Sequence, residues 1–154
     1  MSTATELASL FTRDLNRLRK QIASFSNDEA LWQTLPGVIN PAGNLALHLE
    51  GNLREYVGRQ LGQQPYNRTR DLEFSLKGLS RDEVGSRLEE LSQTIPSIIE
   101  RLSLDQMEME YPQVVLDVAM TTQQFLFHLY GHLNWHLGQI DYLRRMLEPD
   151  GSAQ

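Results

Sequence analysis

The sequence predicts an all-α fold, a four-helix bundle. Apolar residues recur at three- and four-residue steps along four long stretches. Capping boxes, Ser or Thr followed three residues later by Glu or Gln, open three of those stretches. At 154 residues and 40% hydrophobic content, the chain suits one domain, residues 1–154, around one core.

Thr3 and Glu6 form the first capping box, and Leu7, Phe11, Leu15, Leu18, Ile22 and Phe25 carry a first helix to about Phe25. Arg13, Asp14, Arg17 and Lys20 read as its solvated face. Ser26 and Glu29 repeat the box, so a short helical turn through Leu31 or Trp32 is expected before Pro36-Gly37 breaks the chain. Asn40-Pro41 reads as cap and first residue of a second helix, with Leu45, Leu49, Leu53, Val57 and Leu61 as its stripe. His48 and Asn52 lie one turn apart beside that stripe, and Gly51 permits close helix approach at roughly 1 kcal/mol of helical propensity. Glu50 and Arg54 read as an exposed pair.

From Gly62 to Leu79 the periodicity lapses into a functional or mobile loop, tethered by Tyr66 and Phe74 and carrying Arg68, Arg70, Asp71 and Glu73. Ser80 and Glu83 open a third helix along Val84, Leu88, Leu91, Ile95, Ile98 and Leu102. Pro96 interrupts it; because the stripe keeps phase, a kink is expected rather than two helices. Residues 103 to 120 form a second long connection whose Met107, Met109, Tyr111 and Val114 to Leu116 can cover one end of the bundle. Thr121 and Gln124 open the fourth helix, which runs to about Glu148, and residues 148–154 read as a frayed tail. Long connections joining helices one to two and three to four imply a crossing connectivity.

Composition narrows the function. With no cysteine there is no disulfide, thiolate ligand or cysteine nucleophile. No signal peptide and no membrane-spanning stretch is expected, and the reading is cytoplasmic. A net charge of -6 argues against nucleic acid as a partner.

The fourth helix carries three of the four histidines, His128, His132 and His136, at four-residue steps along one face. His132 and His136 are in phase with Phe125 and Leu129, so both rings point inward. Burying two imidazoles costs free energy unless their nitrogens are satisfied, and a divalent metal does so. His48 on a facing helix can complete a three-histidine shell. Positions 128 and 136 are separated by ~12 Å of helix rise and cannot share an ion. His128 is therefore a pocket residue, with 128/132 as the alternative pair.

No Glu-x-x-His and no His-Glu-x-x-His occurs, which argues against di-iron and zincin peptidase sites. Three imidazoles with open positions suit zinc, nickel or ferrous iron. Asn52 and Gln139 can hydrogen-bond to a ligand or substrate, and Arg68 and Arg70 can reach over the pocket mouth to an anion. Against a metal-dependent enzyme stand two alternatives. One is a non-catalytic metal-stabilised or small-ligand-binding bundle, whose site would be closed or capped by a fourth protein ligand. The other is a structural bundle, with His48 more than ~5 Å from both other rings because shared ligation needs ~2 Å bonds.

NLALHLEGN at 44–52, followed by HLNWHLGQIDYLRR from His132, resembles the DinB/YfiT-like superfamily of inferred metalloenzymes, unrelated to the DNA polymerase of similar name. The resemblance is closer to a bacterial branch known only as a domain of unknown function. It implies an up-down-down-up bundle and one metal held by His48, His132 and His136. Relatives use a divalent metal to activate a low-molecular-weight thiol, as thiol S-transferases or a thiol-dependent isomerase, and many are homodimers. Leu137 stands where those enzymes carry an arginine after the second metal histidine. Arg68, Arg70, Asp71, Glu73 and Phe74 instead resemble the unknown-function branch.

Overall fold

Helices form where the apolar periodicity places them, and local hydrogen bonding sets their ends. The computed structural model describes residues 1–148, so the expected frayed tail lies, beyond Glu148, outside the described residues. Its elements are α1 (Thr3–Ala23), α2 (Ala42–Leu53), α3 (Arg70–Ser75), α4 (Arg81–Glu100), α5 (Leu104–Glu108) and α6 (Thr122–Leu147). A 3-10 turn, Ala30–Trp32, precedes α2, and a π-helical segment, Arg54–Arg59, prolongs it.

The boxes at Ser80/Glu83 and Thr121/Gln124 cap α4 and α6, and an unforeseen one, Ser103/Gln106, caps α5 inside the second connection. Other expected caps differ. Ser2, not Thr3, caps α1 by accepting from the Thr5 N–H, since Thr3 is already helical. Asn27, not Ser26, accepts from the Ala30 N–H. Pro41 takes the cap position of α2 without a side-chain bond, so Asn40 does not cap it. Across Pro96, α4 runs on as one helix.

Cross-helix pairs give the directions. The turn just past α1 meets the start of α4, where the Arg81 N–H donates to Asp28 Oδ1 at 3.0 Å, and Arg19 further back on α1 pairs with Glu89 further along α4, so these helices are antiparallel. Asp14 meets Tyr130 and Gln21 meets Arg144, so α1 and α6 run parallel. His48 meets His132 while Tyr56 packs on Phe125, which makes α2 antiparallel to α6. Glu50–Arg87 and Arg54–Glu90 align α2 with α4. The result is an up-down-down-up bundle with α1 and α2 on one diagonal.

Phe11, Leu15, Leu18, Ile22, Leu49, Leu53, Leu91 and Phe125 are essentially fully buried between the helices. Each contributes on the order of 1.5–3 kcal/mol of burial free energy. Two carboxylates on faces read as solvated are instead buried. Asp14 is buried, with Arg13 and Arg17 folded over it and the Tyr130 hydroxyl donating to it. Glu50 is also buried, joined to both Arg54 and Arg87, because α4 closes over that side of α2. Met107 and Tyr111 are buried as expected of an end cover, whereas Met109, Val114 and Leu116 are exposed.

The π segment widens the turn after α2: the N–H groups of Gln60 and Gly62 donate five residues back, to the carbonyls of Glu55 and Val57. The Tyr56 carbonyl in this stretch accepts from the Tyr111 hydroxyl at 2.7 Å, which ties the second connection to the end of the histidine-bearing helix. Among the described residues, no helix is long and apolar enough to cross a membrane.

Candidate metal centre

Every residue of α2 is buried, which is unusual for a helix carrying Asn44, His48, Glu50 and Asn52. Beside the packing of α2 on α4 and α6, α3 folds over its outer side inside the stretch read as a loop and completes the burial. Asn44, one turn before His48, donates from Nδ2 to the carbonyls of Glu73 and Leu76 at 2.8 and 2.9 Å, and Lys77 closes on its Oδ1. This clamp fixes the end of α3 and sets the Glu73 carboxylate beside His48.

His48 Nδ1–H donates to Glu73 Oε2 at 2.8 Å, which leaves Nε2 with its lone pair facing α6. Arg68 donates to both Glu73 oxygens, at 2.6 and 3.0 Å, with its guanidinium 5.5 Å from the Tyr56 ring centre. Burial alone would raise the Glu73 pKa, but the bonds from His48 and Arg68 outweigh it and hold the carboxyl below its ordinary value. On α6, His136 Nδ1–H donates to Gln139 Oε1 at 2.7 Å, again leaving Nε2 free.

The three Nε2 atoms converge. His132 Nε2 lies 3.1 Å from His48 Nε2 and 3.1 Å from His136 Nε2, and the three ligand atoms lie within 4.8 Å of one another. Metal–imidazole bonds of ~2.0–2.1 Å at tetrahedral or octahedral angles place ligand atoms about 2.9–3.4 Å apart, so the two 3.1 Å separations about His132 suit one shared ion. A His48 standing more than ~5 Å from both other histidines would have favoured a merely structural trio; its Nε2 instead lies 3.1 Å from that of His132.

Burial, and then the neighbouring imidazoles of His136, His48 and His128, push the His132 pKa down to about 4. Burial also lowers that of His136, against the opposing bond to Gln139. These rings are therefore uncharged at neutral pH, the form that binds metal. Lone pairs crowded at this distance repel one another unless a shared proton or a metal cation lies between them. Two buried polar atoms at the site, His132 Nδ1 and Asn52 Oδ1, have no hydrogen-bond partner among the described residues. Histidine nitrogens of this arrangement fit zinc, nickel or ferrous iron.

The other candidates are placed as follows. Asn52 is buried one turn beyond His48. Gln139 orients His136. Arg68 is engaged with Glu73, and Arg70 lies 5.1 Å from the centre of the Phe74 ring, itself 4.9 Å from His48. His128 is exposed and stacked on Phe125, outside the group of three. The sequence reading gave Asn44 and Glu73 no role in orienting His48. The signal available for Asn44 was a poor helix former inside an apolar helix; for Glu73 there was none, since its partner lies 25 residues away.

A family model described as "Protein of unknown function (DUF1572)" matches residues 5–152. A comparison with curated proteins finds no match. Among solved structures, a conserved protein from Enterococcus faecalis superposes with a TM-score of 0.76 at 14% identity, covering 97% of this chain and 99% of that one. A DinB-like protein from Bacillus cereus superposes with a TM-score of 0.69 at 16% identity, covering 91% and 89%. At these identities the likeness is one of fold, and it agrees with the bundle described above.

Proposed function

The chain belongs to the DUF1572 family of proteins of unknown function, and from that premise we propose that it is a metal-dependent enzyme acting on a small molecule. In this reading one divalent ion is held by His48, His132 and His136, and the reaction transfers a low-molecular-weight thiol to a small electrophile. The observation that carries it is the convergence of three Nε2 atoms with, among the described residues, no fourth His, Asp or Glu in the group. Three protein ligands leave positions for exogenous ones, the pattern of catalytic rather than structural sites.

Such an ion supplies Lewis acidity, lowering the pKa of a coordinated thiol or water. The chain's own residues prepare the place. Glu73 and Gln139 fix the tautomers of His48 and His136, so that both direct Nε2 inward. Arg68 neutralises Glu73, so the carboxylate acts as an oriented acceptor rather than a competing ligand. Asn52 offers an unpaired buried Oδ1 to a donor on the bound molecule. The thiol and the homodimer rest on the resemblance of the histidine motifs alone, and the cytoplasmic location on the expectation of no signal peptide and no membrane-spanning stretch; all three belong to the same proposal.

The test is thiol consumption by protein loaded in turn with zinc, nickel and ferrous iron, against a panel of small thiols and electrophiles. Turnover that a chelator abolishes and His132→Ala lacks is expected. Stoichiometric metal binding with no turnover would leave a non-catalytic metal protein, and no binding would refute the reading altogether.

A further inference from the structure

Beside His136 a cavity of about 450 Å³ opens between α6 and residues 37–40, a volume within the range of small-molecule sites. His136, Gln139, Leu143 and Met146 line it at three- and four-residue steps along one face of α6, a span of ~15 Å from the histidine cluster. Across from them are Val38 and Ile39, carried past the positive-φ turn at Gly37. Ile39 is 90% exposed and Met146 59%, so large apolar side chains here face outward from the described residues.

Among the described residues, no Asp, Glu, Lys or Arg lines this cavity. Arg68 and Arg70 do not supply a cation to it: Arg68 donates to both oxygens of Glu73, and Arg70 lies over Phe74. An anionic ligand body would give up water here and gain no ion pair, whereas an apolar body removes exposed hydrocarbon from water.

We propose that this cavity holds the body of the substrate, and that the body is uncharged and predominantly apolar, with one donor atom directed to the histidine cluster. The proposal rests on the metal reading above and adds to it a substrate class. A hydrophilic, carboxylated thiol is disfavoured by the same walls.

The test uses full-length protein loaded with cobalt(II), whose visible spectrum reports ligation. Two probes are titrated: phenylmethanethiol and its 4-carboxylate derivative, which share one thiol and differ by a remote charge. The neutral thiol is expected to bind at least about tenfold more tightly, a lower bound because the cavity is open and the carboxylate keeps part of its water. Met146→Arg, at an exposed position away from the cluster, should reverse the preference while cobalt affinity stays the same. Absence of a cobalt spectrum would overturn the metal reading and this proposal with it. Normal cobalt binding with equal affinity for the two probes would overturn the cavity assignment alone. So would sedimentation showing that Met146→Arg splits a dimer without altering thiol preference, because a second copy would then fill the cavity.

Discussion

Gly51 and Glu73 share one space: a Cβ on Gly51 would stand 2.1 Å from Glu73 Oε1. The glycine sits mid-helix in α2, where alanine would improve helical propensity by roughly 1 kcal/mol. Its absence of a side chain is what lets the carboxylate lie flat against α2 and reach His48 and Arg68.

Gly51→Ala is therefore expected to destabilise the protein despite the better helix former. Overpacking of this kind costs about 1–3 kcal/mol, which exceeds the gain in propensity. Urea denaturation of the two proteins measures the difference; a variant as stable as the parent would show that α3 can move off α2 freely.

Glu73→Gln keeps an acceptor near His48 Nδ1 but removes the charge that Arg68 neutralises. Loss of such an oriented carboxylate behind a metal histidine lowers metal affinity by about 10–100-fold. Chelator competition reads this, with circular dichroism confirming that the helices remain. An unchanged dissociation constant would mean that Glu73 serves only to hold α3.

His128→Ala should leave metal affinity within about twofold of the parent, because ligand bonds of ~2.0–2.1 Å cannot reach a ring outside the converging group. A large loss in the same competition assay would instead favour a 128/132 pair.

Asp14 provides a test of the bundle away from the histidines. Burial alone would raise its pKa, but hydrogen bonds from Arg13, Tyr130 and Asn134 outweigh it and bring the value to about 2, from 3.8. A depressed carboxylate pKa contributes stability that is present above 3.8 and is lost as pH falls through about 2. Asp14→Asn should cost about 1–3 kcal/mol at neutral pH, at the modest end because Arg13 and Arg17 are half exposed and can turn to water. The gap between parent and variant should close between pH 3.8 and 2 in denaturant titrations. A gap that persists to pH 2 would remove the charge from the explanation.

Helix placement was legible because the core stripes repeat at helical spacing, and Ser80/Glu83 and Thr121/Gln124 cap as they read. The inward histidines were legible for the same reason: His132 and His136 are in phase with the buried Leu129 and Leu133 side of α6. Short elements held by distant partners were not. The six residues of α3 have no stripe of their own, and it is Asn44, from another helix, that holds their end. Asp14 and Glu50 looked solvated because charge pattern alone does not reveal that arginines and a second helix will cover them. The π segment has no period of its own to read, and its Tyr56 carbonyl is met by Tyr111 from a connection 55 residues on.

Calorimetric titration of the metal-free protein with zinc decides whether the three histidines hold an ion. One ion per chain is expected, with saturable binding lost or severely weakened in each of His48→Ala, His132→Ala and His136→Ala while helical content is retained. Absence of saturable binding in the parent, or binding that survives all three substitutions, would contradict a metal centre at these histidines.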